Sequence, residues 1–497
     1  MKWIAIAAIP RIGRWSWRST FLRGITSLVV SAAVVVVGTV AGVHVGLRPA
    51  VAGAQPRQVP IQPLPVAVLP PELDPFYNAP ASSIAETAPG GIIKARQITP
   101  AFFNIDALNM DAWQVLYRTN DSHGHAVATV TTLLKPRGTA PRGGRKLLSY
   151  QVAEDSTASY CAPSYGMQQG SIPVYSDFVT MLEANLAVLE GISKGYAVSI
   201  PDYQGQNSAY GAAILGGQAT LDAIRAAENF TPLQLTAGTK TRVGMLGYSG
   251  GTIPTGWAAE HAQKYAPELN IVGASIGGVA MADLKAVLIK NNAQVSAGLI
   301  GAAFYGFATE YPDVQKVLDT KIDWFGRFMM TTKSLVCRAP LGSAYFPFWN
   351  YLGDYNGQQP GGILNEPAVT AAIDANRLGQ LRPSMPMYIY QAQNDTLIPN
   401  AGTDRLVNWY CRDSRENISY EREYLAEHIT GMLTWIPKSY DWIADRLDGK
   451  PVKQGCEVTS PYSAISQGDV IRMIVNKWPA LAGMLTGQAI GQLPITS

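Results

Sequence analysis

The sequence predicts an α/β protein whose central sheet is mostly parallel. Through the middle of the 497-residue chain, short apolar segments alternate with longer segments of helical periodicity. One apolar segment, residues 243–246, runs into Gly-Tyr-Ser-Gly-Gly at 247–251 and then into a helical pattern at 253–265. A strand, a sharp turn and a helix in this order are typical of an open α/β sheet, where reactive side chains lie at the carboxyl ends of the strands.

The first 54 residues have the composition of an export signal. Residues 1–24 carry five basic and no acidic residues, residues 25–47 are apolar, and Ala-Gly-Ala at 52–54 has the pattern of a cleavage site. The apolar run is also long enough to span a bilayer, so an uncleaved anchor is the alternative to cleavage after Ala54. The sequence therefore predicts a secreted or cell-envelope protein.

The leader also accounts for the net charge of +3. It holds six of the 39 basic residues and none of the 36 acidic ones, which leaves 33 basic against 36 acidic residues in the rest of the chain. The remainder therefore has a charge of −3 and carries no basic stripe, so no nucleic-acid partner is expected.

The elements that follow are predicted from composition and periodicity. Residues 55–75 are a proline-rich extended arm, with order expected from Phe76 onward. Two strands are expected within 111–134, and His123 and His125 should lie in a solvated loop between them. Further strands are predicted at 147–152, 197–200, 271–272, 387–390 and 418–425, and a helix at 209–230.

The turn at 247–251 has the G-x-S-x-G pattern and the strand–turn–helix context of a nucleophile elbow. Its glycines allow strand and helix to pass closely, so Ser249 should project from the tip. The backbone N–H of Gly250 would face a developing oxyanion. Gly-Ala-Ser-Ile-Gly at 273–277 fits the same pattern, but Ser275 is predicted to end the next strand and to serve packing.

A serine nucleophile on this fold requires a histidine later in the chain, and His428 meets this requirement just after the last predicted strand. The other four histidines either precede Ser249 or lie about 18 Å along the elbow helix: His44, His123, His125 and His261.

The acid should follow a strand between the nucleophile and the histidine. Asp395 does so directly after the strand at 387–390, and it would orient the ring of His428. Asp374 and Asp404 lie in helical patterns and are predicted to be solvated.

Five segments together resemble the secretory lipase family, the lipase A type of α/β-hydrolase, over roughly residues 75–490. The resemblance implies the α/β-hydrolase fold with a helical cap or lid, and it implies the same roles for Ser249, Asp395 and His428. The segments are Cys-Ala-Pro-Ser-Tyr at 161–165, Gly-Tyr-Ser-Gly-Gly at 247–251, the run at 265–275, Gln-Asn-Asp-Thr-Leu-Ile-Pro at 393–399 and Ala-Glu-His at 426–428.

The family lacks a His-Gly-Gly-Gly oxyanion loop, and this chain has none. The resemblance implies instead that Asp155 contributes to the oxyanion hole together with Gly250.

Four cysteines in an exported chain favour disulfides, although the residues alone leave three pairings open. The resemblance implies the pairs Cys161–Cys337 and Cys411–Cys456.

The segment between Gly278 and Cys337 is far longer than an ordinary βα loop and has helical patterns before and after Pro312. We predict that residues 279–337 form a cap that lines an apolar acyl tunnel above Ser249, with Phe304 in its wall. The alternative is a helical subdomain that serves stability alone. The hydrolase core would then comprise residues 76–278 and 338–497.

These features predict a serine lipase or carboxylesterase that hydrolyses triacylglycerols or other medium- and long-chain esters through an acyl-enzyme. The expected partners are the ester and a lipid–water interface, and the chemistry requires no cofactor or metal. The alternatives are an acyltransferase or serine peptidase on the same fold, for which no acceptor motif is evident, and an inactive surface-binding module, which the complete triad disfavours.

Overall fold

A computed structural model of the chain describes residues 59–172, 178–236, 238–292, 294, 296–333, 337, 362–463 and 469–491. They fall within the compact unit Pro56–Ser497. The predicted export signal and the alternative anchor lie outside the described residues. In the part of the chain that is described, no helix combines the length and the apolar character needed to cross a membrane.

Eleven strands of the described residues form one large sheet, and a further two form a small antiparallel pair. The strands are β1 (Ile61–Gln62), β2 (Ile92–Gln97), β3 (Ala101–Phe102), β4 (Asp106–Ala107), β5 (Asp111–Asn120), β6 (Ala126–Lys135), β7 (Leu147–Gln151), β8 (Ala197–Pro201), β9 (Val243–Tyr248), β10 (Ile271–Gly277), β11 (Met387–Ala392), β12 (Ile418–Glu423) and β13 (Cys456–Thr459).

The large sheet has the order β1-β2-β5-β6-β8-β7-β9-β10-β11-β12-β13. All neighbours from β8 to β13 pair in parallel, whereas β2, β5, β6 and β8 pair antiparallel. The predicted mostly parallel sheet is therefore confirmed. Strands β7, β8, β9 and β11 are buried along their whole length, as their apolar sequences require when helices cover both faces.

Helices pack on both faces of this sheet. One face is covered by α4 (Ala213–Asn229), α5 (Thr252–Tyr265) and α11 (Asn400–Tyr410), and the other by α3 (Phe178–Ser193) and α12 (His428–Leu447). The helices are α1 (Ala81–Glu86), α2 (Pro163–Gly166), α3 (Phe178–Ser193), α4 (Ala213–Asn229), α5 (Thr252–Tyr265), α6 (Leu284–Asn291), α7 (Ala297–Glu310), α8 (Pro312–Lys321), α9 (Trp324–Lys333), α10 (Pro367–Asn376), α11 (Asn400–Tyr410), α12 (His428–Leu447) and α13 (Asp469–Leu485).

The proline-rich arm departs from the prediction that order begins at Phe76. Its strand β1 pairs in parallel with β2, with Ile61 opposite Ala95. Farther along the arm, Asp74 forms a buried ion pair with Arg96 of β2 at 2.7 Å. These contacts fix the arm on the edge of the sheet, and composition alone did not reveal them.

Two predicted boundaries also shift. Helix α4 begins at Ala213, later than the predicted residue 209, because Gly211 has a left-handed φ of +94° that no helix accommodates. The strand predicted at 418–425 ends at Glu423.

Helices α6 to α9 lie between β10 and β11 in the chain, where the cap is predicted. Helix α8 starts at Pro312, as expected from the preference of proline for the first helical turn. The exact limits of the cap, residues 279–337, remain a prediction.

The structure contains the two disulfides that the family resemblance implies. Cys161–Cys337 joins the segment before α2 to the end of the helical insertion, and Cys411–Cys456 joins the end of α11 to the edge strand β13.

Candidate active site

Ser249 lies on a sharp turn between β9 and α5. Its φ of +50° is in the left-handed region, which is strained for a residue with a side chain. The turn is possible only because its neighbours lack Cβ atoms. A Cβ on Gly247 would lie 2.2 Å from the carbonyl oxygen of Gly251, and one on Gly251 would lie 2.1 Å from the carbonyl oxygen of Gln151. The predicted strand–turn–helix geometry of the elbow is present.

The structure brings the three predicted triad residues into one hydrogen-bonded chain. His428 Nε2 lies 2.8 Å from Ser249 Oγ, and His428 Nδ1 lies 2.8 Å from Asp395 Oδ2. The side chains of His428 and Asp395 are 3 % and 1 % exposed, so water competes little for either contact. In this arrangement Nε2 can accept the hydroxyl proton while Asp395 fixes the tautomer of the ring.

The carboxylate of Asp395 is held from three sides. Its Oδ1 accepts hydrogen bonds from the backbone N–H groups of Leu397 at 2.9 Å and Ile398 at 2.7 Å. Its Oδ2 accepts a bond of 3.0 Å from Gln391 Nε2, and Thr403 Oγ donates to the other end of the same amide at 2.8 Å. These donors fix the orientation of the carboxylate toward the ring of His428.

His428 is the first residue of α12, directly after the N-cap Glu427. The hydroxyl of Tyr248 donates to its main-chain carbonyl at 2.7 Å. Burial raises the pKa of Tyr248 well above its ordinary value, with a further contribution from Asp395, so the hydroxyl remains a donor. The residue before the nucleophile therefore anchors the backbone of the histidine.

Asp155 is placed beside the residue that follows the nucleophile. A Cβ on Gly250 would meet Asp155 Oδ1 at 1.7 Å, and Asp155 itself has a left-handed φ of +44°. Two hydrogen bonds to the backbone just before Asp155 hold its loop in place. Glu183 accepts a hydrogen bond from the N–H of Ala153 at 2.9 Å, and the hydroxyl of Tyr203 donates to the carbonyl of Val152 at 2.8 Å.

A cavity of about 630 Å³ opens above Ser249. Its wall combines Ser249 and His428 with apolar side chains of α6 and α7, among them Leu284, Leu288, Leu299 and Ile300. Phe304 does not line it, contrary to prediction. It points instead into a small apolar space between α7, α8 and α10, which Phe307 and Val314 also line.

The remaining sequence candidates lie away from this site. Ser275 is fully buried within β10, as predicted. His261 stacks on Trp257 with ring centroids 3.8 Å apart, and burial lowers its pKa. His125 is exposed, but His123 contacts the carbonyl of Glu310 at 2.7 Å, so it is not simply solvated.

Asp404 also differs from its expected solvated role. It accepts a hydrogen bond from the hydroxyl of Tyr420 at 2.6 Å. His44 lies outside the described residues. Among the residues that are described, no group of three or more His, Cys, Asp or Glu side chains is arranged to hold a metal ion.

Sequence reasoning did not identify Gln391, Tyr248, Lys290 or Asn291 as supports of the site. Gln391 carries a weak signal, since it is a polar residue near the end of an apolar strand and four positions before the predicted acid. Lys290 and Asn291 carry none, because their contacts with residues 395–397 span more than 100 positions of the chain.

Comparisons with known proteins match this chain to lipases. Residues 174–455 match the family described as secretory lipase. Lipase 1 of Candida albicans is 33 % identical over 444 residues, which cover 86 % of this chain and 91 % of that protein. The probable inactive lipase MT1628 of Mycobacterium tuberculosis is 31 % identical, with 86 % of this chain and 93 % of that protein covered.

The fold is likewise that of a solved lipase. The crystal structure of Candida antarctica lipase A superimposes with a TM-score of 0.72 and 29 % identity, and the match covers 86 % of this chain and 99 % of the other. The match with the family over more than half of the chain, together with a relative of 33 % identity along almost its whole length, shows that this chain belongs to the secretory lipase family and is an ester hydrolase.

Proposed function

We propose that this chain is a secreted serine lipase that hydrolyses triacylglycerols and other medium- or long-chain esters through an acyl-enzyme. One observation carries the proposal: the hydrogen-bonded chain of Ser249, His428 and Asp395 ends in a largely apolar cavity of about 630 Å³. Such a volume lies within the usual range for sites that enclose a small ligand.

In the first step, His428 Nε2 takes the proton of Ser249 while Oγ attacks the ester carbonyl. The carbonyl oxygen becomes an oxyanion, for which the main-chain N–H groups of Gly250 and Asp155 are the proposed donors. The carboxylate of Asp155 would repel the same charge, so we assign the role to its backbone. His428 then protonates the leaving alcohol. In the second step, His428 takes a proton from the water that attacks the acyl-enzyme, and it returns that proton to Ser249 Oγ as the acid is released.

The lipid–water interface is the proposed partner of the surface around the cavity mouth. Ile429 lines the cavity, and its side chain is 55 % exposed. Other large apolar side chains near it on α12 and the adjoining loops are also more than half exposed. Together they make up a surface that we call the apolar rim: Tyr424, Leu425, Ile429, Leu433 and Tyr462. A group of large exposed apolar side chains beside a cavity is typical of an interaction site.

Three contacts join the two loops of the rim. The backbone N–H groups of Tyr424 and Leu425 donate to the carbonyls of Pro461 and Tyr462, each at 3.0 Å, and the rings of Tyr424 and Tyr462 stack with centroids 5.6 Å apart. A rim fixed in this way can rest on a lipid aggregate while a single ester enters the cavity.

Secretion is supported by the basic and apolar leader and by the two disulfides, since such bonds persist in oxidising compartments. We propose that the leader is cleaved after Ala54. The alternative is an inactive binding module, since the relative MT1628 is named a probable inactive lipase. Contacts of 2.8 Å along the whole triad favour an active enzyme instead.

Replacement of the nucleophile tests the proposal. Ser249→Ala should lower hydrolysis of p-nitrophenyl butyrate by about three orders of magnitude or more while leaving the fold intact. Ser275→Ala is the matched control and should retain activity, since Ser275 is buried in β10. Activity in Ser249→Ala, or the absence of labelling of Ser249 by a fluorophosphonate, would contradict the proposal.

A further inference from the structure

Two residues at the end of the cap helix α6 are hydrogen-bonded to the loop that carries the proposed catalytic acid. Lys290 Nζ donates to the main-chain carbonyl of Asp395 at 2.7 Å, and Asn291 Nδ2 donates to that of Leu397, also at 2.7 Å. Lys290 is exposed at the cavity mouth, whereas Asn291 is only 4 % exposed. The buried contact is therefore the one that water cannot replace.

All of the hydrogen-bonding groups of the Asn291 amide are used to join elements. Its Nδ2 also donates to the carbonyl of Val287 in the preceding helical turn at 2.8 Å. Its Oδ1 accepts a bond of 2.5 Å from Ser296, the residue that precedes α7. One side chain thus ties α6, the start of α7 and the acid loop together at the wall of the cavity.

The peptide unit between Leu397 and Ile398 lies between Asn291 and the acid. Its C=O accepts from Asn291 Nδ2, and its N–H donates to Asp395 Oδ1 at 2.7 Å. Because a peptide unit is planar and rigid, a bond that fixes its oxygen also fixes the direction of its N–H. A hydrogen bond to the C=O additionally polarises the unit and strengthens the N–H as a donor.

We infer that Asn291 is a positioning residue for catalysis, which acts through the Leu397–Ile398 peptide on Asp395 and hence on His428. The inference rests on the proposed triad. It gives the cap a second task besides enclosing the acyl chain, since a helix of the cap sets the orientation of the acid. Displacement of that helix would misalign the triad even with Ser249 and His428 unchanged.

The test compares two variants of Asn291 with a matched asparagine elsewhere. Asn291→Asp keeps the shape but replaces the donor by an oxygen, and Asn291→Leu removes all of the hydrogen bonds. Asn376 is the control because it is also a buried asparagine at the end of a helix, with an Nδ2 bond of 2.8 Å to the carbonyl four residues earlier and a second of 2.7 Å to Tyr311. It does not line the cavity.

Full-length variants are assayed with p-nitrophenyl butyrate, and rates are normalised to folded protein by near-ultraviolet circular dichroism. Both Asn291 variants should lower kcat about 10- to 100-fold, with KM within about twofold of wild type, as expected for misalignment of a catalytic group. Asn376→Asp should lower Tm but change kcat less than about twofold.

Three results would overturn the inference. A rise in KM with unchanged kcat in the Asn291 variants would make Asn291 a substrate contact. An equal loss of kcat in Asn376→Asp would mean that Asn291 contributes only to stability. Unchanged kcat and KM in the Asn291 variants would show that Asn291 has no role in catalysis. Wild type and Ser249→Ala are measured in the same assay. Equal rates in these two proteins would mean that the proposed function has failed, which none of the three results above would show.

Discussion

Close backbone contacts keep the reactive groups of this chain in place. Ser249 and Asp155 both adopt left-handed backbone conformations, with φ of +50° and +44°. Gly250, which follows Ser249, packs directly against the side chain of Asp155. Strain of this kind costs of order 1–3 kcal/mol per residue and persists only where the surroundings enforce it. At the residue scale, function should therefore be sensitive to single atoms.

Gly250→Ala tests this sensitivity. The added methyl would meet Asp155 Oδ1 at 1.7 Å, so the buried Asp155 side chain beside the proposed oxyanion site must shift. We expect kcat to fall about 100-fold or more, with a smaller effect on KM. Gly483→Ala in α13 is the control, since its Cβ would have 3.2 Å to the nearest side-chain atom. Equal kcat values in the two variants would refute the placement of the oxyanion hole.

The buried carboxyl of Asp202 should affect the stability of the protein rather than catalysis. Asp202 follows β8 and accepts hydrogen bonds from the N–H of Ser164 at 2.9 Å and from its hydroxyl at 2.5 Å. Burial raises its pKa to about 7, although the bonds from Ser164 act in the opposite direction. The folded state therefore binds this proton more tightly than the unfolded state does.

Between about pH 4 and pH 7 the folded state consequently holds more protons at Asp202 than the unfolded state, so the free energy of unfolding falls as the pH rises. From pH 5 to pH 8 this group should remove about 3 kcal/mol of stability. In Asp202→Asn that loss should be absent, which urea unfolding of both proteins at the two pH values measures. Parallel pH dependence in the two proteins would show that Asp202 is charged throughout.

At the scale of elements, α6 and α7 determine what the site can hold. Their apolar side chains face the cavity, whereas Phe304 of α7 packs toward α8 and α10. Burial of each additional CH₂ of an acyl chain is worth about 0.8 kcal/mol, or about fourfold in affinity. The cap should therefore favour medium and long acyl chains over acetate.

A series of p-nitrophenyl esters from two to sixteen carbons tests this expectation. In wild type, KM should fall as the chain lengthens until the cavity is full. Leu299→Asn, of similar size but polar, should flatten this trend, because Leu299 lines the cavity. Leu381→Asn is the control at an exposed position outside it. A wild-type optimum at acetate would leave the cap with no role in acyl binding.

At the scale of the whole molecule, the apolar rim and the cavity mouth share Ile429, so one face of the protein carries both the site and the surface proposed to meet lipid. Leu433 belongs to the rim but does not line the cavity, and its side chain is 52 % exposed. It can therefore be changed without altering the catalytic residues.

Leu433→Glu should reduce hydrolysis of emulsified tributyrin about tenfold, because a charged rim residue loses apolar contact area with the lipid. Hydrolysis of dissolved p-nitrophenyl butyrate should remain within about twofold of wild type. Leu485→Glu on α13 is the control: it is also an exposed leucine on a helix, but it lies outside the rim. Equal losses with both substrates would mean that Leu433 supports the fold or the site rather than the interface.

Local patterns in the sequence were sufficient for much of the fold. Strand periodicity gave β7, β8, β9 and β11, and the glycines at 247 and 251 marked the elbow because only a residue without Cβ fits there. The order of elements left His428 as the one histidine able to reach Ser249. These features depend on neighbouring residues and on chain order, which a sequence displays directly.

Contacts between distant segments were decided by the tertiary structure. Periodicity identified α7 as apolar but could not say which of its apolar residues line the cavity, and so Phe304 was placed there wrongly. Asn291 and Leu397 lie 106 positions apart, and no local pattern links them. A hydrogen bond requires two groups within about 3 Å, and only the packing of the cap on the sheet brings these two so close.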